Sequence, residues 1–312
     1  MQLKEPIEDL FQEQLQDWPL AAGNYADLQQ VLWKDIDFEG FEIKIQFNPE
    51  RIRSSGAKVD RSSIQQRPCL LCAGNRPPEQ KGLDYPPHYT LLLNPYPIFP
   101  RHLTIPDTRH VSQQIQGRIK DFLSLARDLP DYTLLYNGPK SGASAPDHFH
   151  FQAGNKGFLP VEHDIHFFPG KKLLKQEALG SIYSMENYLR HCFVYESNHE
   201  EWLLTRFHQL TQLLQAVQPA EEEPMFNLIG WKEESHWQLV VFPRKQHRPR
   251  QFYETGDNQL LLSPGVVDFG GVLVVPRKED FDKIDKNVLI DIYSQLTLSD
   301  EATRNICRHL IG

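Results

Sequence analysis

The stretch Asp147-His148-Phe149-His150-Phe151-Gln152-Ala153-Gly154 decides both the fold and the site. Side chains alternate across a β-strand, so His148, His150 and Gln152 share one face while Phe149 and Phe151 fill the other. The aromatic face predicts burial. The opposite face sets two imidazoles and an amide on rigid backbone, where a ring nitrogen can meet an electrophile while its neighbours fix the tautomer. The bland alternative is a polar sheet face with no chemistry. Just upstream, Asn137-Gly138-Pro139-Lys140-Ser141-Gly142-Ala143-Ser144 is a loop of small residues, whose backbone N–H groups could closely approach phosphate oxygens.

Working outward, the text predicts alternating strands and amphipathic helices. Residues 1–35 read as a helical or irregular lead-in, and 41–47 as a strand. The polar run 51–66 reads as a loop, and 69–78 as a turn-rich knuckle around Cys69-Leu70-Leu71-Cys72. Strands are expected at 88–94, 102–105 and 132–137. An amphipathic helix is expected over 112–129, where Ile115, Ile119, Phe122, Ala126 and Leu129 recur at helical steps. A second helix, capped by Asn198, should run to about Val217.

The chain also echoes itself. Leu103-Thr104-Ile105-Pro106 before His110 resembles Val240-Val241-Phe242-Pro243 before His247. Tyr136-Asn137 ahead of the histidine strand resembles Phe226-Asn227 ahead of His236-Trp237-Gln238. This reads as a diverged duplication, with an N-terminal half over 1–195 and a C-terminal half over 196–312. Glu221-Glu222-Glu223-Pro224 reads as a boundary or solvated loop before the later strands.

Composition narrows the classes. The 312 residues are 40% hydrophobic and 24% charged, which suits a globular chain with a large core. A net charge of -8 argues against binding a nucleic-acid polymer, and an anionic small substrate would need local cations. No apolar run reaches membrane-spanning length and the start lacks a signal-like apolar core, so a cytoplasmic location and no membrane partner are expected. With four cysteines and no export signal, Cys69 and Cys72 read as a metal or redox pair before a structural disulfide.

These motifs resemble the histidine-triad superfamily, in its transferase branch of galactose-1-phosphate uridylyltransferases, diadenosine tetraphosphate phosphorylases and GDP-hexose phosphorylases. The branch carries His-x-His-x-Gln on a strand, matched by His148, His150 and Gln152, where triad hydrolases usually have a third histidine. Pro100-Arg101-His102-Leu103-Thr104-Ile105-Pro106 up to His110 resembles the strand and turn before the family's helix. The family's serine sits three residues before the first motif histidine, whereas Ser144 stands four before His148. Cys69 to Asn75 looks like the zinc knuckle of the uridylyltransferases, and residues 226–273 like the C-terminal half of the dinucleotide phosphorylases.

The resemblance implies an α+β (α/β) fold of two diverged histidine-triad-like halves, each an antiparallel sheet flanked by helices. It implies ping-pong nucleotidyl transfer on a nucleotide sugar or dinucleoside polyphosphate, with phosphate or sugar phosphate as acceptor. His150 would be the nucleophile, oriented by the main-chain carbonyl of His148, and Gln152 a donor to phosphoryl oxygen. Asn137, Lys140, Ser141, Gly142 and Ser144 are the expected substrate contacts. Cys69, Cys72, His110 and His148 would hold a closed, structural zinc. The other cations near the motif are Arg101, Arg109 and Lys156. A homodimer is in keeping with the family. The rival readings are a triad-type hydrolase and a catalytically silent nucleotide-binding protein.

Overall fold

Thirteen strands form two sheets in the computed structural model, which describes residues 3–57 and 59–312. In chain order they are β1 (Leu32–Phe38), β2 (Phe41–Phe47), β3 (Gly82–Tyr85), β4 (Tyr89–Leu93), β5 (His102–Pro106), β6 (Tyr132–Asn137) and β7 (His150–Asn155). Then follow β8 (Lys171–Glu177), β9 (Gly180–Met185), β10 (Phe193–Ser197), β11 (Phe226–Glu233), β12 (His236–Pro243) and β13 (Val272–Val275). The large sheet has ten antiparallel strands in the order β3-β4-β5-β7-β6-β11-β12-β10-β9-β8. The small sheet is β1-β2-β13, with β13 parallel to β2.

The large sheet is two five-stranded units joined edge to edge at its centre, where β6 pairs with β11 through Asn137 to Leu134 against Asn227 to Gly230. Each unit builds three strands, then a helix, then two strands that insert between the third strand and the centre. The helices are Ile119–Asp128 in the first unit and Glu200–Val217 in the second. This bears out the expected α+β fold of two related halves. The unit division lies between Asn155 and Lys171, and a cut at 195–196 would pass through β10. The pairing also corrects one sequence echo. Strand β12 takes the place of β7, not of β5, so Leu103–Pro106 and Val240–Pro243 are not counterparts. The strand that corresponds to β5 is β10.

Both faces of the sheet are covered, which is why the central strands read as continuous apolar runs. On one face Phe149, Phe151, Trp237 and Leu239 pack with the helices Lys4–Asp17, Ile119–Asp128 and Glu200–Val217. On the other, Leu135, Ile229 and Val240 pack with the small sheet and the helix Lys286–Leu296. No helix among the described residues is long and apolar enough to cross a membrane.

Three local expectations change. The helix expected from Ser112 begins only at Ile119, because Gly117 turns the chain at φ 76° and Gln113 is drawn into the site. The polar segment 51–66 is not all loop. It holds the short helices Ile52–Ser55 and Arg61–Gln66, the latter capped by the Asp60 carboxylate, which accepts from Ser63 N–H at 3.0 Å. Glu223 is not solvated: it is buried and accepts from Ile115 N–H and the Tyr136 hydroxyl.

Candidate active site

β7 begins at His150, so the histidine stretch is only partly strand. His148 lies in the bend before it, because Phe149 is tied to the preceding loop instead: its N–H donates to Val111 O and its carbonyl accepts from Asp107 N–H. Phe149 and Phe151 are fully buried, as the alternation predicts. Their rings stand edge to face, 4.8 Å apart, and the Arg118 guanidinium lies 4.1 Å over Phe149.

The His150 ring is held by its own strand. Its Nδ1 lies 2.8 Å from the carbonyl oxygen of His148. A carbonyl only accepts, so the proton sits on Nδ1 and the lone pair on Nε2. The ring is 4% exposed, and burial lowers its pKa to about 4, so it is neutral at pH 7. Gln113 braces the backbone here. Its amide accepts from His150 N–H at 2.8 Å and donates to His150 O and Asn137 O at 3.0 and 2.9 Å. The ladder between β6 and β7 stops at Leu135 and Gln152, so this side chain supplies the pairing the backbone lacks.

Two amides border a 60 Å³ cavity on the same face, Gln152 and Asn137. Each is fixed by buried partners. His102 Nδ1 accepts from Ile98 N–H at 3.1 Å, so its Nε2 carries the proton and donates to Gln152 Oε1 at 2.9 Å. Burial and the nearby Arg51 charge lower the His102 pKa to about 3, keeping that tautomer neutral. Asn137 Oδ1 accepts from Asn227 Nδ2 at 2.8 Å and from Val266 N–H at 2.7 Å. Both carbonyl oxygens are therefore engaged, which leaves the NH₂ groups as donors. Asn227 is held in turn by Arg244, whose Nη1 donates to its Oδ1 at 2.8 Å.

The small-residue loop folds over this amide. Gly142 adopts φ 99°, and a Cβ there would lie 2.6 Å from Gly265 Cα and 3.2 Å from Asn137 Oδ1. Gly142 and Ser144 line the cavity. Ser141 does not: its hydroxyl is fully buried without a partner, while its carbonyl accepts from Asn227 Nδ2. Lys140 points outward and pairs with Glu221 at 2.6 Å. The other cations near the motif are also engaged elsewhere, Arg101 with Glu8, Arg109 with Asp107 and Lys156 with Lys232 O.

Cys69, Cys72, His110 and His148 converge, with all four candidate ligand atoms within 4.8 Å of one another. Cys69 Sγ and Cys72 Sγ lie 3.3 and 3.5 Å from His148 Nδ1, and Cys72 Sγ lies 3.3 Å from His110 Nδ1. A tetrahedral centre with metal–ligand bonds near 2.0–2.3 Å has edges of about 3.3–3.8 Å, a range into which these three distances fall. The tautomer fits as well. His148 Nε2 donates to Asp107 O at 2.7 Å, freeing Nδ1 to face the thiols. Asp107 is itself gripped by Arg118 at 2.7 Å and by Arg109. These residues could hold a metal ion.

A wider cavity, of 820 Å³, lies away from the motif, between β2 and the helix Pro160–Phe167. The residues that sequence reading missed are Gln113, His102, Asn227 and Arg244. Each acts through a contact 17 to 90 positions distant in the chain.

Comparison with known proteins agrees with this layout. Residues 10–155 match a family model described as a domain of unknown function, DUF4922, and residues 165–312 match one described as the GDPGP1-like C-terminal domain. No curated protein matches the chain. The crystal structure of yeast Ap4A phosphorylase Apa2 in complex with AMP superposes with a TM-score of 0.59 at 16% identity, over 92% of this chain and 97% of that one. Apa2 in complex with Ap4A gives 0.59 at 16% identity, over 90% and 96%. At this identity the likeness shows the fold. Residues 165–312 thus match a GDPGP1-like C-terminal domain, and the chain as a whole shares its fold with Apa2.

Proposed function

We propose that this protein is a nucleotidyltransferase of the phosphorylase type, working through a covalent nucleotidyl group on His150. The observation that carries the reading is the His150 tautomer: Nδ1–H spent on the His148 carbonyl and an unprotonated Nε2. That Nε2 attacks the α-phosphorus of a nucleotide sugar or dinucleoside polyphosphate. A P–N bond forms as the P–O bond to the next phosphate breaks, and the leaving phosphate takes the electron pair. A phosphate-bearing acceptor then attacks the same phosphorus, the P–N bond breaks, and the pair returns to Nε2. The amides of Gln152 and Asn137, and the loop at Gly142 and Ser144, supply preorganised donors for the charge on the phosphoryl oxygens. Phosphorolysis is favoured over hydrolysis because Gln152 donates without taking a proton, where a third histidine would do both. The proteins named GDPGP1-like and Ap4A phosphorylase support a nucleoside diphosphate derivative as substrate.

The four-residue cluster suits structural zinc. Thiolates with imidazoles prefer zinc to magnesium or calcium, and four protein ligands leave no open position. When bound, the ion would neutralise the thiolates and tie the knuckle to the bend that carries His148. His148 then presents its carbonyl to His150 from a fixed position.

Product analysis tests the reading. The protein is given a panel of nucleoside diphosphate hexoses and dinucleoside polyphosphates, with and without orthophosphate. The expected result is release of a nucleoside diphosphate that depends on orthophosphate and is lost in His150→Ala. A nucleoside monophosphate formed at the same rate with or without orthophosphate would identify a hydrolase, and binding without turnover a silent binder.

A further inference from the structure

The 820 Å³ cavity between β2 and the helix Pro160–Phe167 has no part in the nucleotidyl-transfer reading. Its wall includes Lys156 to Leu159, just past the end of β7, so it lies a strand's length from His150. It also takes in Trp231 and Glu233 from the end of β11. Trp231 pairs with Gln238 on β12, the strand that takes the place of β7 in the second unit. Its size lies within the roughly 300–1,000 Å³ of ligand pockets.

The wall selects a ligand in three ways. Trp231 is 1% exposed, yet its indole N–H meets no acceptor among the described residues, whereas those of Trp202 and Trp237 donate to Glu177 and to Leu123 O at 2.6 and 3.1 Å. A buried indole N–H normally has a partner, so this one is left for an acceptor in the cavity. The wall is also acidic: the carboxylates of Asp37, Glu42, Glu162, Asp164 and Glu233 stand against Lys44 and Lys156. Both lysines are engaged, Lys44 with Glu42 at 3.1 Å and Lys156 with Lys232 O at 2.8 Å, while Asp37 is exposed and has no partner among the described residues. Finally, the wall offers aromatic surface. Phe167 is 70% exposed, and its ring stacks on His163 with centroids 4.5 Å apart.

We propose that this cavity binds a neutral saccharide. Its hydroxyls donate to Asp37 and Glu233 and accept from Trp231 Nε1–H, and the C–H face of one ring lies on Phe167. An acidic wall with engaged lysines repels a phosphate-bearing ligand. A simple cation leaves the Trp231 donor unanswered, and an apolar molecule leaves the carboxylates so. Hydroxyl groups both donate and accept, and a sugar ring adds an apolar face without charge. The site does not involve His150, so it stands apart from the nucleotidyl-transfer reading.

The test is calorimetric titration of the full-length protein with maltotetraose, cellotetraose and mannotetraose, alongside spermidine and guanosine. At least one tetrasaccharide should bind saturably, with a Kd of about 1 mM or below. Phe167→Ala and Asp37→Asn, both at exposed positions, should each raise that Kd about tenfold. Trp231→Phe, which removes the N–H and keeps an aromatic ring, should do the same; should it fail to fold, the two surface variants carry the test. His150→Ala should bind the saccharide as wild type does. No tetrasaccharide binding, or binding that Phe167→Ala and Asp37→Asn leave unmoved, overturns the proposal. So does spermidine or guanosine binding in the saccharide's place, and so does loss of saccharide binding in His150→Ala, which would put the sugar at the motif instead.

Discussion

An amide placed beside a phosphate is useful only if it presents hydrogens rather than its carbonyl, and the buried partners of Asn137 and Gln152 decide that. Asn227 and Val266 hold the Asn137 oxygen, and His102 holds the Gln152 oxygen. Asn227 is therefore a positioning residue: it acts through Asn137 and does not border the cavity. Asn137→Ala should lower kcat about a hundredfold, the usual effect of losing one preorganised donor. Asn227→Ala should lower kcat less, with KM little moved, and should cost nothing further in the Asn137→Ala background. Additive losses in that double variant would show that Asn227 acts by another route. At this scale the sequence was informative where chemistry repeats along one strand. His150 and Gln152 follow from a two-residue period. Asn227 does not, because its partner lies 90 positions away and an asparagine near a strand end has many uses.

Elements decide where those residues meet. β6 and β7 were legible from alternation, and β6 has the expected bounds. The histidine strand starts later than alternation suggests because His148 is diverted to the thiol cluster. The helix after the cluster starts late for a related reason, since Gln113 fills the gap between Asn137 and His150. Periodicity carries no signal for a side chain that replaces a backbone ladder. Gln113→Ala leaves the N–H of a buried His150 unpaired, which costs about 1–3 kcal/mol of stability. Denaturant melts should show that loss, and kcat should fall along with it. Melts that match wild type would remove Gln113 from the account.

The molecule is centred on one continuous ten-stranded sheet made from two related units, only one of which carries the His-x-His-x-Gln motif. On β12, which takes the place of β7, Gln238, Val240 and Phe242 occupy the face that His150 and Gln152 occupy on β7. The second unit instead contributes Asn227, Arg244 and Ser263 to the first unit's site. The duplication was legible from Tyr136-Asn137 and Phe226-Asn227, but its register was not, since one of the two echoes joined strands in different places. Two buried carboxyls should contribute less to stability as pH rises. Burial raises Glu223 to about 7 and Asp268 to about 6, so the folded state keeps protons that the unfolded chain has already released. Each lowers stability by up to about 1.4 kcal/mol per pH unit, from about pH 4.5 to 7 for Glu223 and from about 3.8 to 6 for Asp268, while the buried His102 and His150, whose pKa values are lowered, act in the opposite sense. Glu223→Gln should shift the slope of stability against pH in the positive direction, and a slope equal to wild type in denaturant titrations at pH 5, 6 and 7 would contradict it.

The thiol cluster also acts on the whole molecule, since it ties the 69–78 knuckle to the bend before β7. The isolated protein should contain about one zinc per chain, and chelation or Cys69→Ser should lower Tm by about 5 °C or more. Metal-free protein with an unchanged melt would leave the cluster without a structural role.

The most direct measurement is the mass of the protein quenched during turnover without acceptor, followed by mapping of the modified peptide. The account predicts one added nucleoside monophosphate on His150, removed by orthophosphate and absent in His150→Ala. A protein that turns over substrate yet never gains that mass, or gains it on another residue, would contradict the central claim.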